Sequence, residues 1–196
     1  DGCEPPVMKT MVEMMKWHHR ITGDQLPTFL QEYRILHFVG REDEYNASDT
    51  VYELYHIIFD DHSDRKSLSS CLGKGETLSI WEKEEPTAIC AITFVQRENA
   101  VLVLFLATKV DYQANGMATF LLSIMHQVVK CRVGVDEVNV YLKANPIENK
   151  AAWGYYSRRN FAEMAEGTEA FPKVLRDCFV NEVDDSPLKD YLGFSN

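Results

Sequence analysis

Gln113, Ala114, Asn115, Gly116, Met117 and Ala118 stand directly between a solidly apolar run and an amphipathic stripe, a placement that can cradle a diphosphate. The apolar run, from Val101 to Leu106, is rich in strand formers, as expected of a central strand buried on both faces. Beyond Met117, the residues Phe120, Leu121, Ile124, Met125, Val128 and Val129 recur at helical spacing and form one stripe that can lie on a sheet. A helix therefore starts where a strand ends. The first-turn amides of such a helix have no partner within it, and its dipole places partial positive charge at the same end. An anionic phosphate is stabilised there. Gly116 lets the backbone come close to a ligand, and the small Ala118 keeps the next turn open. From the one glycine, an ordinary strand-to-helix turn explains the stretch equally well.

A second segment follows: Asn149, Lys150, Ala151, Ala152, Trp153, Gly154, Tyr155, Tyr156, then Ser157, Arg158, Arg159, Asn160 and Phe161. Together the two segments resemble the general-control-related N-acetyltransferase (GNAT) superfamily. Its coenzyme loop reads Arg or Gln, two residues, Gly, one residue, Gly or Ala, which Gln113, Gly116 and Ala118 fill. Its later helix reads Asn, Ala, Tyr, then Gly-Phe, which Asn149, Ala152, Tyr156 and Phe161 match, with Asn160 in place of the glycine. Asparagine also tolerates positive φ.

The resemblance implies acetyl-CoA as the donor, and it implies roles for particular residues. The backbone of Leu106, Ala107 and Thr108, with Val110, would pair with the pantetheine arm. Gln113 to Ala118, extended by Thr119, would hold the pyrophosphate, with Asn149 and Tyr156 along the other wall. A backbone amide near Leu106 would stabilise the oxyanion, and Tyr156 would protonate the departing thiolate. The competing reading of Tyr156 is an aromatic packed on the sheet. Tyr155 is a reserve, because the Ala-x-Gly-Tyr-aromatic order is similar to the yeast-type histone acetyltransferases.

The acceptor amine must lose a proton, since a lysine side chain titrates near pH ~10.4, so a base is needed directly or through water. Where the histone enzymes carry a glutamate this chain has Leu102, which cannot take a proton. Protein N-terminal acetyltransferases use a residue of the following strand instead, and the matching position is Tyr141, which can order a water. Glu98, Asp111, Glu137 and His126 are the other ionisable groups nearby, each also readable as a solvated turn or helix residue.

These residues require an alternating order of elements. A Met-rich helix over 7–20 carries Met8, Met11, Met14, Met15 and Trp17; it reads as an extension packed on the domain or as a partner-binding groove. Arg34 to Val39 reads as a strand. Thr50 and Glu53 form a capping box opening a helix with Leu54, Ile57 and Ile58 that runs to about Asp61. A short helix over Leu68 to Leu72 follows, then strands over Thr77 to Trp81, Ala88 to Val95 and Val101 to Thr108. Turns at Glu84, Glu85, Pro86 and at Arg97, Glu98, Asn99 join them. After the long helix come a strand at Val138 to Leu142, a helix at Lys150 to Arg159, and strands at Phe161 to Ala165 and Cys178 to Val183. The expected architecture is α/β: an N-terminal helical arm over 1–33, then one acetyltransferase domain over 34–196. In it a mixed, mostly antiparallel sheet, splayed at the coenzyme site, is flanked by helices.

Composition narrows the function classes. With 196 residues, 45% hydrophobic and 26% charged, the chain can bury one sizeable core. No stretch approaches a membrane span, and no signal-peptide pattern opens the chain. Asp1 in place of Met suggests a domain of something longer. The net charge of −10 disfavours direct nucleic-acid binding and favours basic peptide or protein substrates. The scattered Cys3, Cys71, Cys90, Cys131 and Cys178 lack metal spacing and fit reduced thiols inside a cell, the nucleus being favoured. His18, His19, His56 and His62 lack partners that would make a zinc site. The leading expectation is acetylation of protein lysines, histone tails among them. A small-molecule or N-terminal amine acetyltransferase, or a non-catalytic scaffold, are the alternatives.

Overall fold

Among the described residues, five strands and four helices position the candidate residues. The computed structural model describes residues 32–40, 47–59, 65–84, 87–144, 147 and 149–162. In chain order these form β1 (Tyr33–Val39), α1 (Ala47–Phe59), α2 (Arg65–Lys74), β2 (Glu76–Glu82), β3 (Ala88–Arg97), β4 (Ala100–Thr108), a 3-10 turn (Val110–Tyr112), α3 (Met117–Val133), β5 (Asn139–Leu142) and α4 (Lys150–Ser157). The N-terminal helix, the strand at 178–183, most of the strand at 161–165, Cys3, Cys178, His18, His19 and His62 lie outside the described residues. So do Glu85 and Pro86 of the first turn.

The sheet runs in sequence order, β1 to β5, antiparallel through β4, with β5 parallel to β4. Alternation along the strands builds two cores. On one face Val51, Leu54 and Tyr55 of α1 and Leu68 and Leu72 of α2 cover Leu102, Leu104 and Phe105. On the other, Phe120, Leu121, Ile124, Met125 and Val129 of α3 cover Ile92, Phe94, Val101 and Val103, as the helical stripe predicts. A strand with cover on both sides reads as the unbroken apolar run seen at Val101 to Leu106.

α1 begins at Ala47, a turn before the expected Thr50 cap. The capping-box reading is corrected by packing: Ala47, Ser48 and Val51 are all buried, and Asp49 in the first turn suits the dipole. Thr50 thus lies within the helix, and Ile57, expected on the apolar face, is 72% exposed.

One irregularity shapes everything downstream. Thr93 pairs with Phe105 but Phe94 pairs with Val103, so Leu104 of β4 has no opposite number in β3. This β-bulge puts Leu104 and its neighbour Phe105 in the same core cluster, against the strand's alternation, and bends β4. Pairing with β5 stops at the same place: Ala100, Val101, Leu102 and Val103 match Asn139, Val140, Tyr141 and Leu142. Beyond Val103 the two parallel strands part.

At the other pole, α3 is fastened to the sheet. Glu76 accepts hydrogen bonds from Arg132 Nη1 and Nη2 at 2.8 and 2.7 Å and from His37 Nε2 at 2.7 Å, while Arg132 Nη1 also donates to Gln96 Oε1 at 2.7 Å. Burial pushes the Glu76 carboxyl up, but the bonds from Arg132 and His37 outweigh it and hold it at about 2. Because Arg132 and His37 are each nearly half exposed, solvent screens the cluster. We expect Glu76→Gln to cost about 1–2 kcal/mol at neutral pH. A folded-state pKa below the ordinary 4.5 means this stabilisation is present above pH 4.5 and lost as pH falls toward 2. Melting curves of both proteins should therefore differ at pH 7 and converge in acid; parallel curves at every pH would dismiss the cluster as a staple.

Candidate functional site

Among the described residues, the parted strands leave a backbone edge of β4 unpaired toward the loop that follows it. Lys109 N–H donates to Ile89 O at 2.8 Å. By the alternation of an antiparallel pair, Ala107 and Phe105 then face β3, while the backbone groups of Leu106 and Thr108 turn to the side that β5 has left. Two of the residues expected to pair with an extended ligand are thus presented along that edge, and Ala107 is not. Val110, in the 3-10 turn, is 67% exposed. Gln113 Nε2 donates to Thr108 O at 3.1 Å, so this side chain ties the loop back to the end of β4.

The loop then turns through two positive φ values, 64° at Ala114 and 83° at Gly116. Gly116 is the N-cap of α3, and no side chain caps the helix. The only L-residue cost of the turn falls on Ala114, where a left-handed backbone is paid for by a Cβ beside the carbonyl. Gly116, Met117, Ala118 and Thr119 carry the start of α3, whose first-turn amides lack partners in the helix, and Phe120 N–H is the first to close back, onto Gly116 O at 2.9 Å. Asn115 is exposed beside them. Lys109 lies 5.9 Å from the Tyr112 ring, and the Tyr112 hydroxyl donates to Glu82, which ties the 3-10 turn to the end of β2.

α4 forms the adjoining wall. Asn149 is its N-cap, the side-chain Oδ1 accepting from Ala152 N–H at 2.9 Å. The spacing of Asn149 and Ala152 is therefore that of a helix cap, with the asparagine Oδ1 engaged locally. Asn160, just after α4, has φ of 63°, as its glycine-like position predicts.

Tyr155 and Tyr156 both pack on the α3 side of the sheet, their rings edge to face at 5.2 Å, and Tyr156 meets Phe161 at 5.4 Å. The Tyr155 hydroxyl is 2.9 Å from Thr119 Oγ1, in the first turn of α3. Burial pushes the Tyr155 pKa up, offset in part by Thr119 and Arg159. Burial pushes Tyr156 up as well, seconded by Tyr155, so its phenol stays protonated through the neutral range. Next to them Cys90 Sγ lies 3.2 Å from Thr108 Oγ1, and burial pushes that thiol up to about 12, offset by the Thr108 bond. It is held as an unreactive thiol.

Of the other ionisable candidates only Asp111 lies beside this loop. Leu102 is fully enclosed in the core. Tyr141, its partner across β5, packs with the cluster beneath α1 and α2, on the face opposite Tyr155 and Tyr156. Glu98 lies in the turn before β4 and Glu137 next to it, where Asn99 Nδ2 reaches Glu137 O at 3.4 Å. Nine residues of β4 separate that end from the loop, about 30 Å of strand. His126 is midway along α3, its pKa lowered by burial and by Lys130. Asp111 is exposed on the 3-10 turn. Among the described residues no group of histidine, cysteine or carboxylate side chains could hold a metal. Among the described residues no disulfide joins the cysteines: Cys71 and Cys90 are buried and Cys131 is exposed.

Two participants escape a reading of the sequence. Arg159 reaches the start of α3, and Tyr112 anchors the loop; neither stands in a spacing pattern, because each acts through a contact 30 or more residues away in the chain.

No protein-family model matches the chain, and no curated protein matches it in sequence. Solved structures do match it. An aminoglycoside acetyltransferase from an uncultured soil metagenomic sample, in complex with trehalose, superimposes with a TM-score of 0.52 at 16% identity, over 69% of this chain and 92% of that one. The ribosomal-protein-S18-alanine N-acetyltransferase from Escherichia coli does so with 0.51 at 15% identity, over 68% of this chain and 79% of that one. An aminoglycoside N-acetyltransferase in complex with CoA gives 0.51 at 14% identity, over 68% and 90%. At such identities the likeness is one of fold: an α/β fold with a mixed five-stranded sheet flanked by helices, shared with N-acetyltransferases.

Proposed function

We propose that this protein is an N-acetyltransferase that moves an acetyl group from acetyl-CoA to the amine of a small molecule. The observation that carries the reading is the edge of β4 that, among the described residues, no strand pairs at Leu106 and at the Thr108 amide, leading straight into the N-terminus of α3 at Gly116, which no side chain caps. An extended amide-bearing arm fits the edge as an added strand, and a diphosphate fits the free helix amides. A CoA complex among the neighbours of this fold supports the same donor. The expected protein-lysine acceptor gives way to a small amine, because two of the three neighbours named are aminoglycoside enzymes. The third, which acts on ribosomal protein S18 alanine, keeps an N-terminal amine as the second reading. None of these three neighbours is named for a histone substrate.

In this reading acetyl-CoA supplies an activated acyl carbonyl. The Leu106 amide, on the open edge, stabilises charge on the thioester oxygen as the amine attacks. Tyr156, a phenol that is protonated at neutral pH, would give its proton to the leaving thiolate. Tyr155 is a positioning residue, since its hydroxyl is bound to Thr119. The amine's own proton leaves through water, as Leu102 is enclosed and Tyr141 lies on the opposite face.

The test is incubation of the chain with acetyl-CoA and a panel of aminoglycosides, polyamines, N-terminal peptides and histones, read by mass spectrometry. We expect a gain of one acetyl group on a small amine. Transfer to histone lysine alone would overturn the acceptor assignment, and absence of any transfer with CoA still bound would leave a binding module.

A further inference from the structure

Arg159 follows α4 yet spends its guanidinium on the first turn of α3. Its Nε and Nη2 donate to Thr119 Oγ1 at 3.0 and 2.6 Å, and Nη1 donates to the Tyr155 carbonyl at 3.0 Å. The guanidinium carbon lies 3.6 Å from the centre of the Tyr155 ring, a stacked cation–π contact. The arrangement opposes the helix dipole, which disfavours a cation at this end. What would reverse that sign is an anion held by both.

Donor counting points the same way. Two N–H groups of Arg159 fill both lone pairs of the Thr119 hydroxyl, so Thr119 must itself donate to Tyr155 Oη, 2.9 Å away. Tyr155 keeps its own O–H for another acceptor, and a guanidinium with five N–H groups keeps those not used in the three bonds above. Uncommitted donors thus collect beside the free amides of Met117, Ala118 and Thr119.

We propose that Arg159, locked in place by Thr119 and the Tyr155 ring, is a positioning residue for the donor's diphosphate, and that it links diphosphate binding to the seating of Tyr155 and Tyr156. This rests on the acetyl-CoA reading of the site. Arginine suits the task because its planar fork can stack and still present paired donors to phosphate oxygens.

The test is calorimetric titration of the full chain with CoA and with dephospho-CoA, which lacks the 3′-phosphate but keeps the diphosphate, at low and moderate salt. Arg159→Gln should weaken both ligands equally, by about tenfold, and flatten the dependence of affinity on salt. Arg159→Lys, which keeps the charge and guards against a simple loss of fold, should regain the salt dependence. Unchanged CoA affinity in Arg159→Gln overturns the proposal. So does weakening with an unaltered salt dependence, which would make the residue a packing element, and so does weakening for CoA alone, which would place it at the 3′-phosphate. If the wild-type chain binds neither ligand, the donor site itself is misread and Arg159 loses its role with it; the wild-type titration alone separates that result from the others.

Discussion

Gly116→Glu should abolish the rise in melting temperature that acetyl-CoA gives the wild-type protein, while leaving the ligand-free protein folded. A ligand at a hundred times its dissociation constant stabilises by about 2.7 kcal/mol. For a chain of this size that is a rise of about 5–10 °C. Gly116 caps α3 with φ of 83°, and a Cβ built there meets nothing within 4 Å. The fold therefore bears only the cost of a left-handed L-residue, about 1–2 kcal/mol. The ligand bears more, since a carboxylate at the helix N-terminus takes the amides and the dipole field that the diphosphate needs. Gly116→Ala separates the two effects: it carries the same backbone cost with no charge, and it should keep most of the ligand-induced shift. A full shift in Gly116→Glu would mean that the diphosphate lies elsewhere.

Tyr156→Phe should lower kcat by about a hundredfold while changing the affinity for acetyl-CoA little, the magnitude usual for loss of a positioned general acid. Phenylalanine keeps the ring contacts with Tyr155 and Phe161 and removes only the hydroxyl, so packing is preserved. Burial raises the Tyr156 pKa above its ordinary value of 10.0, so the wild-type rate should not decline on its account as pH rises through the neutral and mildly alkaline range. Tyr155→Phe is the comparison. Its hydroxyl is engaged with Thr119, so its loss should appear in donor affinity before it appears in kcat. Equal kcat in wild type and Tyr156→Phe would return Tyr156 to the role of an aromatic on the sheet.

The strands and helices that carry the site were legible because each has a local signature. The unbroken run at Val101 to Leu106 marks a strand covered on both faces, and the stripe from Phe120 to Val129 marks the helix laid on it. The capping box at Thr50 misled because α1 already runs from Ala47, with Ala47 and Ser48 buried, so Thr50 lies inside the helix. Asn149 was singled out by its spacing to Ala152 as a residue for the coenzyme, and the structure shows that this spacing is that of the cap of α4. Tyr141 and Tyr156, both named from the sequence, were separated by the sheet itself, one on each face.

By itself the sequence determined the order of elements, the strand-to-helix turn at Gly116 and the tyrosine pair that follows it, because periodicity and backbone preference are properties of neighbours in the chain. Only the tertiary structure decided where β4 parts from β5, how Leu104 is bulged out of register, and that Arg159 comes to rest on Tyr155 at the start of α3. Register and long-range stacking depend on which surfaces meet once the sheet is assembled, and no local pattern encodes that meeting.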